Sequence, residues 1–289
     1  MNEERARILK MLEDGKITAE EAARLIEALG KGDRAKELLF HIPKFGKGHH
    51  KEFDIIPDVV SRTVKRAVET GIGERMHLRT QKFSAKEEIT IRAVSSDIKI
   101  EGWDKDEILL ESHGLGKVSE EDNQLHIKTL SGDMKLSLPM KTKLGLSTVS
   151  GDVELEKLQT EVDIHTVSGD IEIDNFEGKM TIKTVSGDVT GKDLNGNVWT
   201  KSQSGDIDLE FIASDQCEFE TASGDIIITL PKDANLILEL YTEEGEINLD
   251  IPKPYEEIEK EEGFLKIGLG DKKGKFICRT DSGDIEIKK

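Results

Sequence analysis

The tripeptide Ser-Gly-Asp recurs at Ser131, Ser150, Ser168, Ser186, Ser204, Ser223 and Ser282, with degenerate copies at Ser95-Ser96-Asp97 and Glu244-Gly245-Glu246. From Ser131 the intervals are 19, 18, 18, 18, 19 and 21 residues, and the remaining gap of 38 is twice 19. A fixed period of this length means that one short structural unit is repeated and stacked. The residues six and four before each Ser are apolar in almost every copy: Leu125/Ile127, Leu144/Leu146, Val162/Ile164, Met180/Ile182, Cys217/Phe219, Leu238/Leu240 and Phe276/Cys278, with Val198/Thr200 the one mixed pair. The residue two before is Thr or Ser. The third and fifth residues after the Ser repeat the alternation, as Met134/Leu136, Val153/Leu155, Ile171/Ile173, Ile207/Leu209, Ile226/Ile228, Ile247/Leu249 and Ile285/Ile287. Period-two alternation on both sides of a turn reads as two short strands, each with one face in a core. A further apolar residue eight after the Ser, Leu158, Phe176, Leu194 or Ile212, is expected to fill a corner.

The turn itself asks for these residue types. Gly132, Gly151, Gly169, Gly187, Gly205, Gly224 and Gly283 supply positive φ without a steric penalty, while Ser and Asp side chains bond nearby backbone amides. The expected fold is therefore mainly β: a single-stranded parallel β-helix or solenoid with rungs of about 18–19 residues over 81–289, preceded by a small N-terminal α-helical hairpin. A hairpin-linked sandwich is the competing architecture.

Residues 1–30 supply the hairpin. Ile8, Leu9 and Leu12 recur at helical spacing before Gly15, and Thr18 with Glu21 forms a capping box ahead of Ala22, Leu25, Ile26 and Leu29. A hairpin this short must bury its stripe elsewhere, so Ile8, Leu12, Leu25 and Leu29 are candidate assembly residues, for a homo-oligomer or a protein partner. Residues 31–56 read as a linker. Residues 57–80 read as a helical cap on the first rung, with Val60, Val64, Ala67 and Val68 on one face; a membrane-surface helix is disfavoured because that face has no Trp, Phe or Leu.

Charge is unevenly divided. The chain carries 41 Lys and Arg against 59 Asp and Glu, a net charge of −18, and the excess of acid falls after residue 80. This argues against nucleic acid or an anionic bilayer as partner of the whole molecule. No apolar run reaches membrane-spanning length and no signal peptide is recognisable, so the cytoplasm is the default location, with peripheral or surface association an alternative. Two cysteines, Cys217 and Cys278, are too few for a disulfide framework and occupy inward columns.

Candidate chemistry falls on outward positions. Glu154, Glu156, Glu172, Asp174, Asp208 and Glu210 form an acidic stripe interrupted by Thr190 and Lys192. It is the candidate binding face, with a cationic peptide as the ligand to test. Catalytic use of these carboxylates, as in glycan cleavage, would need a cleft built by long loops, and the repeats have almost no insertions. The Asp column Asp133, Asp152, Asp170, Asp188, Asp206 and Asp225 is expected to cap turns; calcium is the alternative. No cofactor, metal site or catalytic residue is expected. His126 and His165 point outward from strands, as does Trp199 beside Lys201.

The stretch from Ile8 through Gly15 and Thr18 to Leu29, followed by Ser-Gly-Asp repeats, resembles the YvlB/LiaX-like proteins of Gram-positive and related bacteria, whose C-terminal half belongs to a candidate-adhesin β-strand-repeat family. That resemblance implies a non-enzymatic protein of the cell-envelope stress response, some of whose members sense or resist cationic antimicrobial peptides. It brings no catalytic residues.

Overall fold

The computed structural model describes residues 75–289. The expected hairpin over 1–30, with Ile8, Leu12, Leu25 and Leu29, the linker and the Pro57–Gly71 helix lie outside the described residues. Nineteen strands follow one another: β1 (Arg75–Ser84), β2 (Glu88–Ser95), β3 (Ile98–Trp103), β4 (Glu107–Glu121), β5 (Gln124–Ser131), β6 (Met134–Pro139), β7 (Lys143–Ser147), β8 (Val153–His165), β9 (Ile171–Lys183), β10 (Val189–Lys201), β11 (Ile207–Ala213), β12 (Gln216–Ser223), β13 (Ile226–Thr229), β14 (Leu236–Glu244), β15 (Ile247–Asp250), β16 (Glu256–Glu261), β17 (Phe264–Gly268), β18 (Gly274–Ser282) and β19 (Ile285–Lys288). Residues 75–80, at the end of the segment read as a cap, are extended in β1.

Each repeat contributes one strand before its turn and one after it, and like strands pair in parallel. On the first side β5, β2, β7 and the second halves of β8, β9 and β10 are followed by β12, β18 and β14. On the second side β6, β3 and the first halves of β8, β9 and β10 are followed by β11, β13, β19 and β15. The inward positions named from the sequence are buried almost without exception, forming one continuous apolar core. Each fully buried Ile, Leu or Phe contributes roughly 1.5–3 kcal/mol, so the column is the main stabilising term.

The structure overturns the single-stranded parallel β-helix in two ways. First, the layers do not follow chain order. The Ile89–Ile100 layer sits between the Leu125–Leu136 and Leu144–Leu155 layers, and the C-terminal Phe276–Ile287 layer sits between Cys217–Ile228 and Leu238–Leu249. Second, a ring of seven strands closes at the N-terminal side, β2–β5–β4–β6–β3–β8–β7 and back to β2. The domain is all-β with a closed barrel. No helix occurs among the described residues.

Closure depends on two long strands. β4 pairs antiparallel with β6 through Leu109–Ser112 and with β5 through Leu115–Glu121, and β8 pairs with β3 and β7 through its two halves. The physical reason for closing is that a stack's terminal layer would otherwise present unpaired N–H and C=O groups beside an exposed apolar face. At the other end β17 pairs antiparallel with β14 and β16 with β17, while β15 pairs with β19 alone. Ile247 and Leu249 of β15 are accordingly half-buried, where their counterparts in other layers are buried.

A corner also differs. Leu158, Phe176 and Leu194 are buried as expected, but Ile212 is 54% exposed and Phe211 takes its place opposite Leu194. The three regular corners spend an extra residue in a left-handed conformation, Lys157, Asn175 and Asp193, at φ 58, 54 and 53°. The Ile207–Ala213 strand has no such residue, so its core position comes one residue earlier.

Candidate functional site

The Ser-Gly-Asp corner is a structural device and its hydrogen bonds say how it works. The Asp carboxylates form a ladder in which each Oδ1 accepts the backbone N–H of the Asp in the next layer: Asp97 from Asp152 at 3.1 Å, Asp152 from Asp170 at 3.0 Å, Asp170 from Asp188 at 2.9 Å, and Asp188 from Asp206, Asp206 from Asp225 and Asp225 from Asp284, each at 2.8 Å. The last bond, from the Glu246 N–H to Asp284 at 2.8 Å, ends the ladder. The terminal layer has no successor, and it carries Glu246 where the others carry Asp. These carboxylates cap turns. The column begins at Asp97 and reaches Asp284, with the Asp133 corner set beside Ser95 and Asp97 through backbone bonds.

A second ladder supports the first. The hydroxyls of Thr148, Thr166, Thr184, Ser202 and Thr221 donate to the carbonyl of the Ser two residues on, at 3.1–3.3 Å. This satisfies a polar group at a position that is otherwise core. The seven Ser-Gly-Asp glycines take φ between 105 and 150°. At Gly187 a Cβ would lie 2.2 Å from the Gly169 carbonyl oxygen, so layer spacing as well as φ demands glycine there.

The six outward carboxylates divide into two groups. Glu154 is opposite both Lys99 and Glu172 and is ion-paired with Lys99. Glu156 lies 2.7 Å from Lys157, whose ammonium also reaches Glu101 at 3.2 Å; Lys135 is 3.7 Å from Glu101. The hydrogen bond from Lys157 holds the Glu156 carboxyl below its ordinary range, and the bond to Glu154 holds Lys99 above its own. Glu172 and Asp174 on β9, and Asp208 and Glu210 on β11, are exposed, with Thr190 and Lys192 of β10 between them. Glu172 and Asp174 stand directly opposite Glu154 and Glu156, so the stripe is brought together, with its first pair neutralised by lysines.

Cys217 and Cys278 are free, buried thiols, as their inward columns imply. Burial pushes the Cys217 thiol up to about 11 and raises Cys278 further, which disfavours the thiolate form of both. They are not directly opposite each other: Cys217 stands opposite Phe276, and Cys278 opposite Phe219. Trp199 is half-buried, with the Lys183 ammonium 5.0 Å from its ring centre; Lys201, two residues on, is buried and ion-paired with Glu220. His165 lies 3.3 Å from Asp163 and His126 is 4.0 Å from Glu121. Among the described residues no cluster of three or more His, Cys, Asp or Glu could hold a metal ion, and no helix is long and apolar enough to cross a membrane.

Sequence reasoning missed a row on the opposite sheet. The residue three before the Ser is Lys128, Arg92, Ser147, His165, Lys183, Lys201, Glu220 or Arg279, in stacking order. The signal was present as a third column in the same alignment, but only the assembled order of layers puts Arg92 beside Lys128.

Among solved structures the chain is similar to a candidate adhesin from Bacteroides fragilis, at 17% identity over 73% of this chain and 96% of that one, with a TM-score of 0.45. It is also similar to a candidate lipid-binding protein from Parabacteroides distasonis (15% identity, 75% and 100% coverage, TM-score 0.39) and to a candidate adhesin from the same organism (14%, 74% and 98%, 0.37). A search of curated proteins gave no match. Residues 3–34 match a SHOCT-like domain. Residues 63–288, and with them the whole of the layered barrel, match the family described as Toastrack DUF4097, to which the chain belongs.

Proposed function

We propose that the domain is a non-enzymatic binding module whose acidic outer face, Glu172, Asp174, Asp208 and Glu210 above all, engages cationic peptides or basic protein partners. The observation that carries this reading is the shape of the site. No connection between consecutive strands exceeds six residues among the described residues, so the outward carboxylates stand on a flat ladder instead of in a loop-lined groove. Flat, charged, regularly spaced positions suit recognition of an extended partner more than chemistry on a small one. The resemblance of the N-terminal segment and repeats to YvlB/LiaX-like proteins supports placing the module in a cell-envelope stress response. On that reading the N-terminal stripe of Ile8, Leu12, Leu25 and Leu29 serves assembly or docking, and the protein works in the cytoplasm or at the periphery of the envelope.

Titration calorimetry with a cationic amphipathic peptide at low salt tests the acidic face. Heat is expected from the full chain and should be lost in the quadruple variant Glu172→Gln/Asp174→Asn/Asp208→Asn/Glu210→Gln. A full chain that gives no heat overturns the reading. Light scattering tests assembly separately: equal monomeric masses for the full chain and a chain lacking residues 1–30 would remove the assembly role.

A further inference from the structure

The face opposite the acidic stripe carries a second row whose charges are arranged in the reverse sense. Lys117 of β4 stands opposite Lys128 of β5, which stands opposite Arg92 of β2; Arg92 is followed through Ser147 by His165, Lys183 and Lys201 on successive strands. Neighbouring strands are about 4.8 Å apart, so these positions follow one another in register along the stack, interrupted at Ser147. Like charges directly opposite one another across a ladder are destabilising. Two such contacts, Lys117–Lys128 and Lys128–Arg92, follow in succession; Lys183 stands opposite Lys201, which is buried and ion-paired with Glu220.

The carboxylates of this face neutralise only part of the row, at His165, Lys201 and Arg279. Asp163 is held by His165 at 3.3 Å, Glu161 by Lys143 at 2.8 Å, Glu220 by Lys201 at 3.1 Å, and Glu218 by Arg279. Among the described residues Arg92, Lys128 and Lys183 have no carboxylate within 4.0 Å. Beside the row, at the next outward position of each layer, Val94, Val149, Val167 and Val185 are half-buried and form a shallow apolar edge. Trp199, with Lys183 over its ring, lies on the other side of the row. In a chain of net charge −18, cations left without a carboxylate partner on a flat face, Arg92, Lys128 and Lys183, favour anions at that face.

We propose that this row, centred on Lys128, Arg92 and Lys183, is a binding track for a linear polyanion with regularly spaced phosphate or carboxylate groups, lying along the stack axis between the valine edge and Trp199. The track is on the sheet opposite the acidic stripe, so the module has two faces of opposite preference. A polymer is the fitting ligand because the unpaired cations Lys117, Lys128, Arg92 and Lys183 are distributed over four strands and do not converge on one point.

The test uses the full chain, with long-chain inorganic polyphosphate and polygalacturonate as probes, titrated calorimetrically across a range of salt. Binding of either polymer at low salt, weakening steeply as salt rises, is expected, and the preferred polymer identifies the anionic group. The triple variant Arg92→Gln/Lys128→Gln/Lys183→Gln should lose affinity about tenfold or more, and its slope of log K against log salt should flatten by about 2, three contacts at ~0.7 each. Its urea midpoint should not fall, because the substitutions remove like-charge contacts, and this separates a lost track from a lost fold. Binding of neither polymer, or undiminished binding by the triple variant, overturns the proposal. The quadruple acidic-face variant should keep polyanion binding while losing peptide binding, so failure of one face is read independently of failure of the other.

Discussion

The Asp170 carboxylate accepts the backbone N–H of Asp188 at 2.9 Å, and the Asp188 carboxylate accepts that of Asp206 at 2.8 Å. A side chain in one layer thus closes the turn of the next. Replacing Asp188 by Ala should leave the Asp206 N–H without its partner and cost about 1 kcal/mol. Asp188→Asn keeps the acceptor oxygen and removes a charge from the column, so its urea midpoint should stay close to that of the unchanged protein. Equal losses in the two variants would show that the charge, and not the hydrogen bond, matters.

Gly187 and Gly145 should respond oppositely to Ala. At Gly187, with φ at 116° and the Gly169 carbonyl oxygen 2.2 Å from a new Cβ, the layers must separate, and a loss of roughly 3 kcal/mol is expected. At Gly145 a Cβ meets no atom within 4 Å, and Ala should be neutral or stabilising by up to about 1 kcal/mol. Thermal or urea denaturation of the two variants decides the point.

Thr184 is fully buried and donates its hydroxyl to the Ser186 carbonyl at 3.1 Å. Thr184→Val preserves shape and removes the donor, at a cost of about 1–2 kcal/mol; Thr184→Ser keeps the donor and should retain the turn. Amide hydrogen exchange at the neighbouring corner should speed up in the Val variant alone.

The thiols should be silent in the folded protein. Cys217, with its pKa pushed up to about 11, is protonated at pH 8, and Cys278 is shielded more completely. A disulfide reagent at pH 8 should titrate two thiols in denaturant and essentially none without it. Rapid native reaction of either would show that the layers around β12 and β18 open.

Deleting residues 274–289 should unfold the domain and not merely shorten it. The deleted layer lies inside the stack, where Phe276 contacts Phe211 and Phe219 at ring distances of 5.3 and 6.0 Å. Phe276, Cys278, Ile285 and Ile287 are all fully buried. At roughly 1.5–3 kcal/mol for each large side chain, their loss approaches the whole stability of an ordinary domain, about 5–15 kcal/mol. A truncated chain with an unchanged cooperative urea transition would contradict the inserted position of this layer.

How far the candidate faces were legible follows from the same geometry. Glu154, Glu156, Glu172 and Asp174 could be placed on one outward face from spacing alone, because a strand's period of two and a repeat of 18–19 residues fix side and height together. Their ion pairs could not. Glu154 meets Lys99, which is 55 residues away in the chain, only because the Ile98–Trp103 strand is inserted next to β8. Arg92 and Lys128 became neighbours by that same insertion.

The sequence by itself determined most of the side chains that face inward, since Val162, Ile164, Ile171 and Ile173 recur at fixed distances from a turn built on Gly; Ile212, displaced by Phe211, is the exception. It also determined the chemistry of that turn. The order of the layers, the closure of the barrel by β4 and the capping of β14 by β17 were decided only by the tertiary structure. The reason is the repetition itself: layers with equivalent apolar columns and equivalent turns can stack in many orders at nearly equal cost. The choice among them falls to long-range terms, which are the need to cover the edges of the end layers and the fit of particular side chains, such as Phe276 against Phe211 and Phe219, that no local pattern encodes.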